Sequence, residues 1–397
     1  MEGQTNNLLF VVIIVAMSIS LVSSIPFIGI VVKAQSTEPA QDTWRSVASM
    51  PTVRAQLGVA VVNGKIYAIG GSNDGPRGGP SGPTLLNVTE EYDPVANTWT
   101  TKAPMPTARH SFGIAVFQNK IFCIGGSTNG PELAVNEAYD PATDAWETKT
   151  PMPTARAALS ANTVNDKIYL MGGYPANTTN EAYDPSTDSW TTHAQIPIDS
   201  FYSESAVVNN KIYLFGGLSN GNSAQIYDPE TDTWTFGAPI PTGVAEGAAV
   251  ATAGANVPVR IYLVGGDTTY VRNGHTFGNV TDLNQVYDPE SNTWSVGAQL
   301  PIQLRFFGLA NVNDTLYVIG GMPKLIGFLD TSYQYIPIGY GTSGQESTPL
   351  LRDYVFFALV AIAIALIAAV ILTILCRRRG CTKVSRARSL CTALNFS

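Results

Sequence analysis

Three arginines in a repeated motif are the first residues of this sequence whose type and spacing could bind a ligand. The motif Met-Pro-Thr-x-Arg occurs three times and ends at Arg54, Arg109 and Arg156. A guanidinium group forms paired hydrogen bonds with a carboxylate or a sulfate, so three neighbouring ones would suit an anionic ligand. The alternative interpretation is structural, with each arginine bonding main-chain carbonyl groups between neighbouring units. Both interpretations fit a motif that repeats.

In the other repeat units, aromatic, acidic or basic side chains lie at the position of these arginines or beside it. They would line the same surface, opposite the three arginines, although a role in the core is the alternative for each of them. The further residues predicted to bind a ligand are His110, Tyr202, Glu204, Glu246 and Arg305. Additional aromatic surface would come from Phe201, Phe306 and Phe307.

Enzymatic chemistry has little support among the residue types. The three histidines, His110, His193 and His275, cannot supply the clustered His and Tyr ligands of a copper centre. No nucleophile paired with a base is evident. The sequence therefore predicts no catalytic residue, no metal and no cofactor.

The secondary-structure elements that would position these residues come from one sequence unit, which is repeated six times between about residues 41 and 337. A Gly-Gly pair ends an apolar run in each unit, at Gly70, Gly71, Gly125, Gly126, Gly172, Gly173, Gly216, Gly217, Gly265, Gly266, Gly320 and Gly321. Tyr-Asp-Pro follows in five units, and seven residues after each of those tyrosines comes a tryptophan. The six tryptophans are Trp44, Trp99, Trp146, Trp190, Trp234 and Trp294.

Each unit predicts four short strands, because the apolar residues alternate or run together and never show a helical period. In its double glycine and its spaced tyrosine and tryptophan the unit resembles the kelch repeat. The resemblance implies an all-β fold, a β-propeller of radial antiparallel sheets around a channel. One tryptophan per sheet is expected to fill the wedge between neighbouring sheets, and the five Tyr-Asp-Pro aspartates are expected to form turns.

The order of the motifs predicts how the propeller closes. Trp44 precedes the first Gly-Gly pair, and no tryptophan follows the sixth. We therefore expect a six-bladed ring over 35–338 in which residues 43–50 complete the last blade. The loops after Gly-Gly and those before each first strand then share one face, which we call the loop face and expect to bind ligands.

Both ends of the chain predict membrane targeting. Residues 1–34 are expected to be a signal peptide cleaved after Ala34, or else an uncleaved anchor. Residues 354–376 contain an uncharged apolar run long enough for a transmembrane helix. The linker 339–353 precedes this helix, and the tail 377–397, with six basic residues and no acidic one, is expected to be cytoplasmic. The propeller is then extracellular, where Asn87, Asn177, Asn279 and Asn313 are candidate glycosylation sites.

The net charge disfavours one class of partner, and the cysteine content disfavours a disulfide in the propeller. Residues 35–376 carry a net charge of −13, which disfavours nucleic acid. Cys123 has no partner for a disulfide in the predicted propeller and is expected to be a buried apolar side chain. We expect a single-pass cell-surface module that recognises a protein or a glycan. The alternatives are a sugar mutarotase or epimerase, which the kelch resemblance also allows, and a purely architectural surface protein.

Overall fold

A computed structural model describes residues 42–73, 84–128, 130–272, 275–324 and 327–339. Throughout these ranges the regular structure is β and no helix occurs. The propeller-like all-β architecture predicted from the repeat is thus confirmed. None of the described residues forms a helix that could cross a membrane. The two predicted membrane segments, 1–34 and 354–376, lie outside the described residues.

Four-stranded antiparallel sheets account for most of the strands, and we number these sheets along the chain. Sheet 1 contains β2 (Gly58–Val62), β3 (Lys65–Ile69), β6 (Thr89–Asp93) and β7 (Thr98–Lys102). Sheet 2 contains β8 (Gly113–Phe117), β9 (Lys120–Ile124), β10 (Asn136–Asp140) and β11 (Ala145–Lys149). Sheet 3 contains β12 (Ser160–Val164), β13 (Lys167–Met171), β14 (Asn180–Asp184) and β15 (Ser189–Thr192).

The remaining sheets follow the same plan with two additions. Sheet 4 contains β16 (Glu204–Val208), β17 (Lys211–Phe215), β18 (Ala224–Asp228) and β19 (Thr233–Phe236). Sheet 5 contains β21 (Ala248–Ala251), β22 (Ile261–Val264), β25 (Asn284–Asp288) and β26 (Thr293–Val296). Sheet 6 contains β27 (Gly308–Val312), β28 (Thr315–Ile319), β29 (Ser332–Ile336) and β1 (Thr43–Ser46). The additions on the loop face are β4 (Ser72–Asn73) with β5 (Thr84–Leu85), and β20 (Val244–Ala245) with β23 (Asp267–Arg272) and β24 (His275–Val280).

Burial within a sheet follows its sequence pattern. The first strand alternates buried and half-buried residues, as in Gly58–Val62, because one of its faces lines the central channel. The second strand, such as Lys65–Ile69, is buried at its last four positions between neighbouring sheets. The fourth strand, such as Thr98–Lys102, is polar and mostly exposed. The apolar clusters join adjacent sheets, and Cys123 is buried in one of them, as predicted.

Sheet 6 is built from both ends of the described chain. β1 pairs antiparallel with β29, with Trp44 opposite Tyr335, and the two rings stack with centroids 4.7 Å apart. The first strands contact one another in cyclic order, from β2 through β8, β12, β16 and β21 to β27, and β27 contacts β2. The apolar cluster around Met50 likewise joins sheet 1 to sheet 6.

The Gly-Gly pairs link each sheet to the next. Gly71 has φ +93°, and a Cβ on it would lie 2.6 Å from the carbonyl oxygen of Ala55, so a side chain at this position would clash with the main chain. The N–H of Gly71 donates to the carbonyl of Arg109 in sheet 2, at 3.0 Å. The second glycine of every pair makes the same bond to the following sheet, and Gly321 returns it to Arg54 in sheet 1.

The tryptophans have a more specific role than the predicted filling of a wedge. The tyrosine of the same sheet, such as Tyr139, is completely buried, and Trp146 lies half-buried against it. The indole N–H of Trp146 donates to the carbonyl of Ala103 at 2.9 Å, while the N–H of Ala103 donates to Asp144 at 2.8 Å. A Trp and an Asp or Asn therefore clamp both main-chain groups of one residue in the link between two sheets. Every sheet has this clamp, and in sheet 6 it is made by Trp44 and Asp42 on Ala298.

The predicted turns at Tyr-Asp-Pro are also present. Asp93 accepts the N–H groups of Val95 and Ala96 and so closes the turn between the third and fourth strands. The equivalent residue of sheet 3, Asp184, accepts the N–H of Ser186 in the same way. These aspartates lie at the face opposite the loop face, away from the candidate site.

Candidate binding site at the channel mouth

A five-residue start segment leads into the first strand of each sheet and holds most of the predicted ligand-binding residues. The segments align position by position because the hydrogen bonds around them repeat. They are residues 54–58, 109–113, 156–160, 200–204, 244–248 and 304–308. The loop after Gly-Gly lies beside each one, as shown by the bridges from Ala55 to Ser72 and from Arg305 to Met322.

The first position of the segment is buried and holds the three arginines of the repeated motif. Arg54 has no exposed surface, and its Nη2 lies 2.5 Å from Glu90 while Nη1 donates to the carbonyl of Val88. The hydroxyl of Thr52 donates to the other oxygen of Glu90 at 2.7 Å. Thr and Arg of the motif therefore hold one buried glutamate between them. Burial lowers the pKa of Arg54 to about 10, although Glu90 opposes this shift.

The same ion pair recurs in sheets 2 and 3, as Arg109 with Glu137 and Arg156 with Glu181. Both arginines are also without exposed surface, so none of the three reaches the loop face. Their contacts support a structural role, although the carbonyls that they bond lie in their own sheets and not between neighbouring units, and the arginines do not belong to the candidate site. Isolated buried guanidinium groups would be strongly unfavourable, which explains why each has a carboxylate partner.

The other three sheets replace both partners of this pair with neutral residues. Ser200, Val244 and Leu304 stand in place of arginine. In place of the glutamate, Gln225 exchanges hydrogen bonds with the main chain of Ile198, and Gln285 does so with Thr242. The residue two before the tyrosine is thus Glu where the motif has Arg, and is Gln or Tyr elsewhere. This signal was present in the sequence and would have identified the arginines as structural.

The third position forms a closed ring around the channel mouth, which we call the mouth ring. Each residue donates its main-chain N–H to the carbonyl of its neighbour in the preceding sheet at 2.8 to 3.1 Å, and the sixth bond returns to the first residue. All six residues have positive φ, between 52° and 63°. They are Gln56, Ser111, Ala158, Tyr202, Glu246 and Phe306.

Half of the mouth ring carries a cluster of charged and aromatic groups. Arg305, next to Phe306, donates to Glu246 at 2.9 Å and to Asp267 at 2.6 Å. Its guanidinium lies 5.2 Å from the ring centroid of Phe306, and Phe306 meets Tyr202 edge-on at 5.4 Å. The side chain of Arg305 is 28% exposed, so it remains accessible from the loop face.

Burial shifts the titration of groups around the mouth. It raises the pKa of Glu246, an effect that Arg305 opposes and Asp267 reinforces. It also raises the pKa of Tyr202 and lowers that of His110. Nδ1 of His110 lies 3.0 Å from the hydroxyl of Ser111, which places this histidine beside the mouth ring.

Glu204 lies deeper, at the fifth position of its start segment, in the wall of the channel. Its Oε1 accepts the N–H of Gly247 at 2.7 Å, and its Oε2 is buried without a hydrogen-bond partner. Burial raises the pKa of Glu204 to about 8, although the main-chain N–H groups of Gly247 and of Glu204 itself oppose the shift. A cavity of about 130 Å³ at the mouth ring shares its lining with a channel cavity of about 270 Å³ that Glu204 lines.

The structure therefore divides the predicted residues into two groups. Tyr202, Glu246 and Arg305 lie together at the mouth, with His110 beside them and Glu204 below. Arg54, Arg109 and Arg156 lie elsewhere, inside sheets 1 to 3. The site also includes Asp267, Gln56 and Ser111, which were not predicted from the sequence. Asp267 could have been found because it is the acidic residue directly after a Gly-Gly pair, where the other units have Ser72, Ser127, Tyr174, Leu218 and Met322.

Comparison with known proteins supports the repeat assignment. Residues 121–326 match the family described as Attractin/LZTR1 beta-propeller, and residues 33–173 match the KLHDC2/KLHL20/DRC7 Kelch-repeats domain. The solved structure described as "Structure of YjhT" aligns with a TM-score of 0.61 and 17% identity, covering 72% of this chain and 95% of that one. This likeness concerns the fold.

Similar curated proteins share a short stretch with this chain. Kelch-like protein 35 of Homo sapiens is 41% identical over 88 residues, 22% of this chain and 14% of that protein. Kelch-like ECH-associated protein 1B of Danio rerio is 32% identical over 93 residues, 23% of this chain and 15% of that protein. The chain thus spans about one seventh of the length of these relatives.

Proposed function

This chain belongs to the kelch-repeat β-propeller family, and on that premise we propose that it is a protein-binding module whose partner contacts the mouth ring. Kelch propellers generally bind proteins. We further propose that the six four-stranded sheets are the blades of one closed ring. The cyclic contacts of the first strands and the pairing of β1 with β29 support closure.

The observation that carries this proposal is that every mouth-ring residue has a backbone conformation that favours glycine and yet carries a side chain. Every ring residue has a φ at which glycine is relaxed and other residues are strained by roughly 1 to 2 kcal/mol. A ring selected only for folding would favour glycine at all six positions. Six different non-glycine side chains stand there instead. Strain retained in this way, on an accessible surface, is typical of functional positions.

The chemistry of the ring suits a protein surface. Tyr202 and Phe306 offer aromatic anchors, and Arg305 offers a planar cation held in place by two carboxylates. Tyrosine and arginine are among the residues that dominate binding energy at protein interfaces. Because Glu246 and Asp267 orient Arg305 before a partner arrives, less side-chain entropy is lost on binding.

We also propose that the module faces the outside of the cell. The support for this topology is the sequence alone, with its apolar segment before the repeats, its apolar run at 354–376 and the basic residues that follow. A glycan ligand would use the same accessible face.

Glycine substitutions in the mouth ring test the proposed function. Tyr202→Gly and Phe306→Gly should weaken binding at least tenfold, because they remove aromatic anchors while relieving backbone strain. Ala158→Gly relieves the same strain and removes only a methyl group, so it should leave binding intact and raise the melting temperature. The measurement is quantitative mass spectrometry of proteins that co-purify with the full chain, alongside thermal unfolding of each variant. Unchanged partner recovery with Tyr202→Gly and Phe306→Gly would contradict the proposal.

A further inference from the structure

The cavity at the mouth ring is accessible from the loop face and has a mostly apolar lower wall. All six mouth-ring residues line this cavity, and all six are half-buried, so a partner can reach it. The residues that follow them in the chain, at the fourth position of each start segment, form the lower wall and also line the channel cavity. They are Leu57, Phe112, Leu159, Ser203, Gly247 and Phe307.

The lower wall leaves room on one side of the ring. Four sheets place a large apolar residue at this position, whereas sheets 4 and 5 have Ser203 and Gly247. The hydroxyl of Ser203 donates to the carbonyl of Gly216 in its own sheet at 3.2 Å, so this polar group is already bonded. An apolar cavity of roughly 150 Å³ can hold a benzene ring, so the cavity of about 130 Å³ at the mouth suits a branched aliphatic side chain.

The polar side chains at the mouth largely bond one another. Side-chain hydrogen bonds from Gln56 and Ser111 act on the hydroxyl of Tyr202, which therefore finds its partners in sheets 1 and 2. Arg305 donates to two carboxylates from sheet 5 and the hairpin that follows it. The mouth thus offers a partner mainly carbon surface, from the rings of Tyr202 and Phe306 and from the lower wall. Apolar surface gains free energy by leaving water and needs no polar group opposite it.

The charges around the cavity favour a neutral side chain. Among the residues that the structure describes, Glu246 is the only charged one that lines the cavity, and its Oε2 already accepts from Arg305 at 2.9 Å. An acidic side chain would be repelled by Glu246 and by the neighbouring Asp267. A basic one would compete with Arg305 for a carboxyl that is about half protonated at neutral pH, since burial raises the pKa of Glu246 to about 7. Because burying a poorly paired charge is costly, a neutral side chain fits this cavity better than either.

We propose that the protein partner inserts one neutral branched aliphatic side chain, that of a leucine or an isoleucine, into the mouth cavity and packs it against the lower wall. Arg305, whose side chain is 28% exposed at the rim, remains available to the polar groups of the partner around this side chain. Such an anchor in a desolvated pocket, with polar contacts around it, is the usual arrangement at the centre of a protein interface. This inference rests on the proposed function, because it specifies what the partner places in the mouth ring.

Methyl NMR of the purified full chain tests this inference with three small probes that share one branched stem. The leucine methyl groups carry the label, so that Leu57 and Leu159 report directly on the cavity wall. The probes are 3-methyl-1-butanol, which is neutral, 4-methylpentanoate, which is an anion, and 3-methylbutylammonium, which is a cation. We expect the alcohol to shift the signals of both leucines saturably, and both charged probes to bind at least about tenfold more weakly.

Three variants locate the binding of the alcohol. Ala158→Leu fills the cavity from the mouth ring and should weaken binding at least about tenfold, because the added side chain occupies the space of the probe. Ala142→Leu makes the same exchange at an exposed residue in a turn on the opposite face and should bind as the wild type does. Glu246→Gln should also bind the alcohol as the wild type does, because the carboxylate charge does not contribute.

Several results would overturn the inference. A charged probe that binds as tightly as the alcohol, or the absence of saturable shifts at Leu57 and Leu159, would do so. Shifts of these two signals when the chain alone is diluted would identify a second copy as the occupant and would also overturn it. If proteins still co-purify through the mouth ring while a charged probe binds best, this inference fails and the proposed function stands.

Discussion

At the scale of single residues, the Arg–Glu pairs show that a repeated charged motif can serve the scaffold. Arg109 and Glu137 are both buried, and they form an ion pair. The neutral combination of Val244 and Gln285 occupies the same place in sheet 5. Charge is therefore not required at this place, but removing only one partner should be costly.

A variant that loses one partner of the pair should be less stable than a variant that loses both. Glu137→Gln should destabilise the protein by about 3 to 5 kcal/mol, because it leaves the guanidinium of Arg109 buried without a counter-charge. Adding Arg109→Val, which recreates the residues of sheet 5, should recover most of that loss. The measurement is denaturant unfolding of both singles and the double. Additive losses in the double variant would show that the two side chains do not act as a pair.

At the scale of single elements, β1 serves sheet 6 as the fourth strand serves every other sheet. It does so although hundreds of residues separate it in the sequence from the other strands of sheet 6. Trp44 and Asp42 clamp Ala298 just as Trp146 and Asp144 clamp Ala103. The link that they hold connects sheets 5 and 6. Losing this clamp should loosen the joint at which the chain closes.

Trp44→Ala should lower stability by about 3 to 5 kcal/mol, the usual cost of removing a packed tryptophan. Hydrogen exchange should then speed up in β1 and β29, whereas the matched variant Trp146→Ala should affect β10 and β11. A melting temperature that Trp44→Ala leaves unchanged would mean that β1 does not complete sheet 6.

How far the sequence predicted these elements depends on the kind of interaction. The strands, the turns at Tyr-Asp-Pro and the partner of Trp44 followed from the spacing of motifs, because each reflects local geometry repeated many times. The burial of Arg54 did not follow, since it depends on a glutamate 36 residues away. The mouth ring was also missed: nothing in the types of Gln56 or Phe306 signals a positive φ, which the inter-sheet hydrogen bonds impose.

At the scale of the whole molecule, the buried acids set how stability depends on pH. Burial raises the pKa of Glu204 to about 8 and also raises that of Glu246, both from an ordinary 4.5. Between these values the two acids hold more protons in the folded protein than in the unfolded chain, so their contribution to stability falls as pH rises. The lowered pKa values of His110 and His193 oppose this trend. In the clamps, the hydroxyl of Tyr139 lowers the pKa of Asp144, and that contribution is lost as pH falls below about 4.

We therefore expect the melting temperature to be highest near about pH 5 and to decrease towards pH 8. Glu204→Gln should flatten this decrease and raise the melting temperature at pH 8, because it removes the buried group that ionises there. Thermal unfolding from pH 4 to pH 9 measures both effects. A melting temperature that rises between pH 5 and pH 8 would contradict the shifts at Glu204 and Glu246.

The most direct test of the central claim, that a protein partner binds at the mouth ring, is site-specific photo-crosslinking in cells that express the full chain. A photoreactive phenylalanine replaces either Phe306 in the ring or Val95, which is 96% exposed in a turn on the opposite face. Position 306 should yield a discrete protein adduct that disappears when Tyr202→Gly is added, and position 95 should yield none. An adduct at position 95 with none at position 306 would contradict the account.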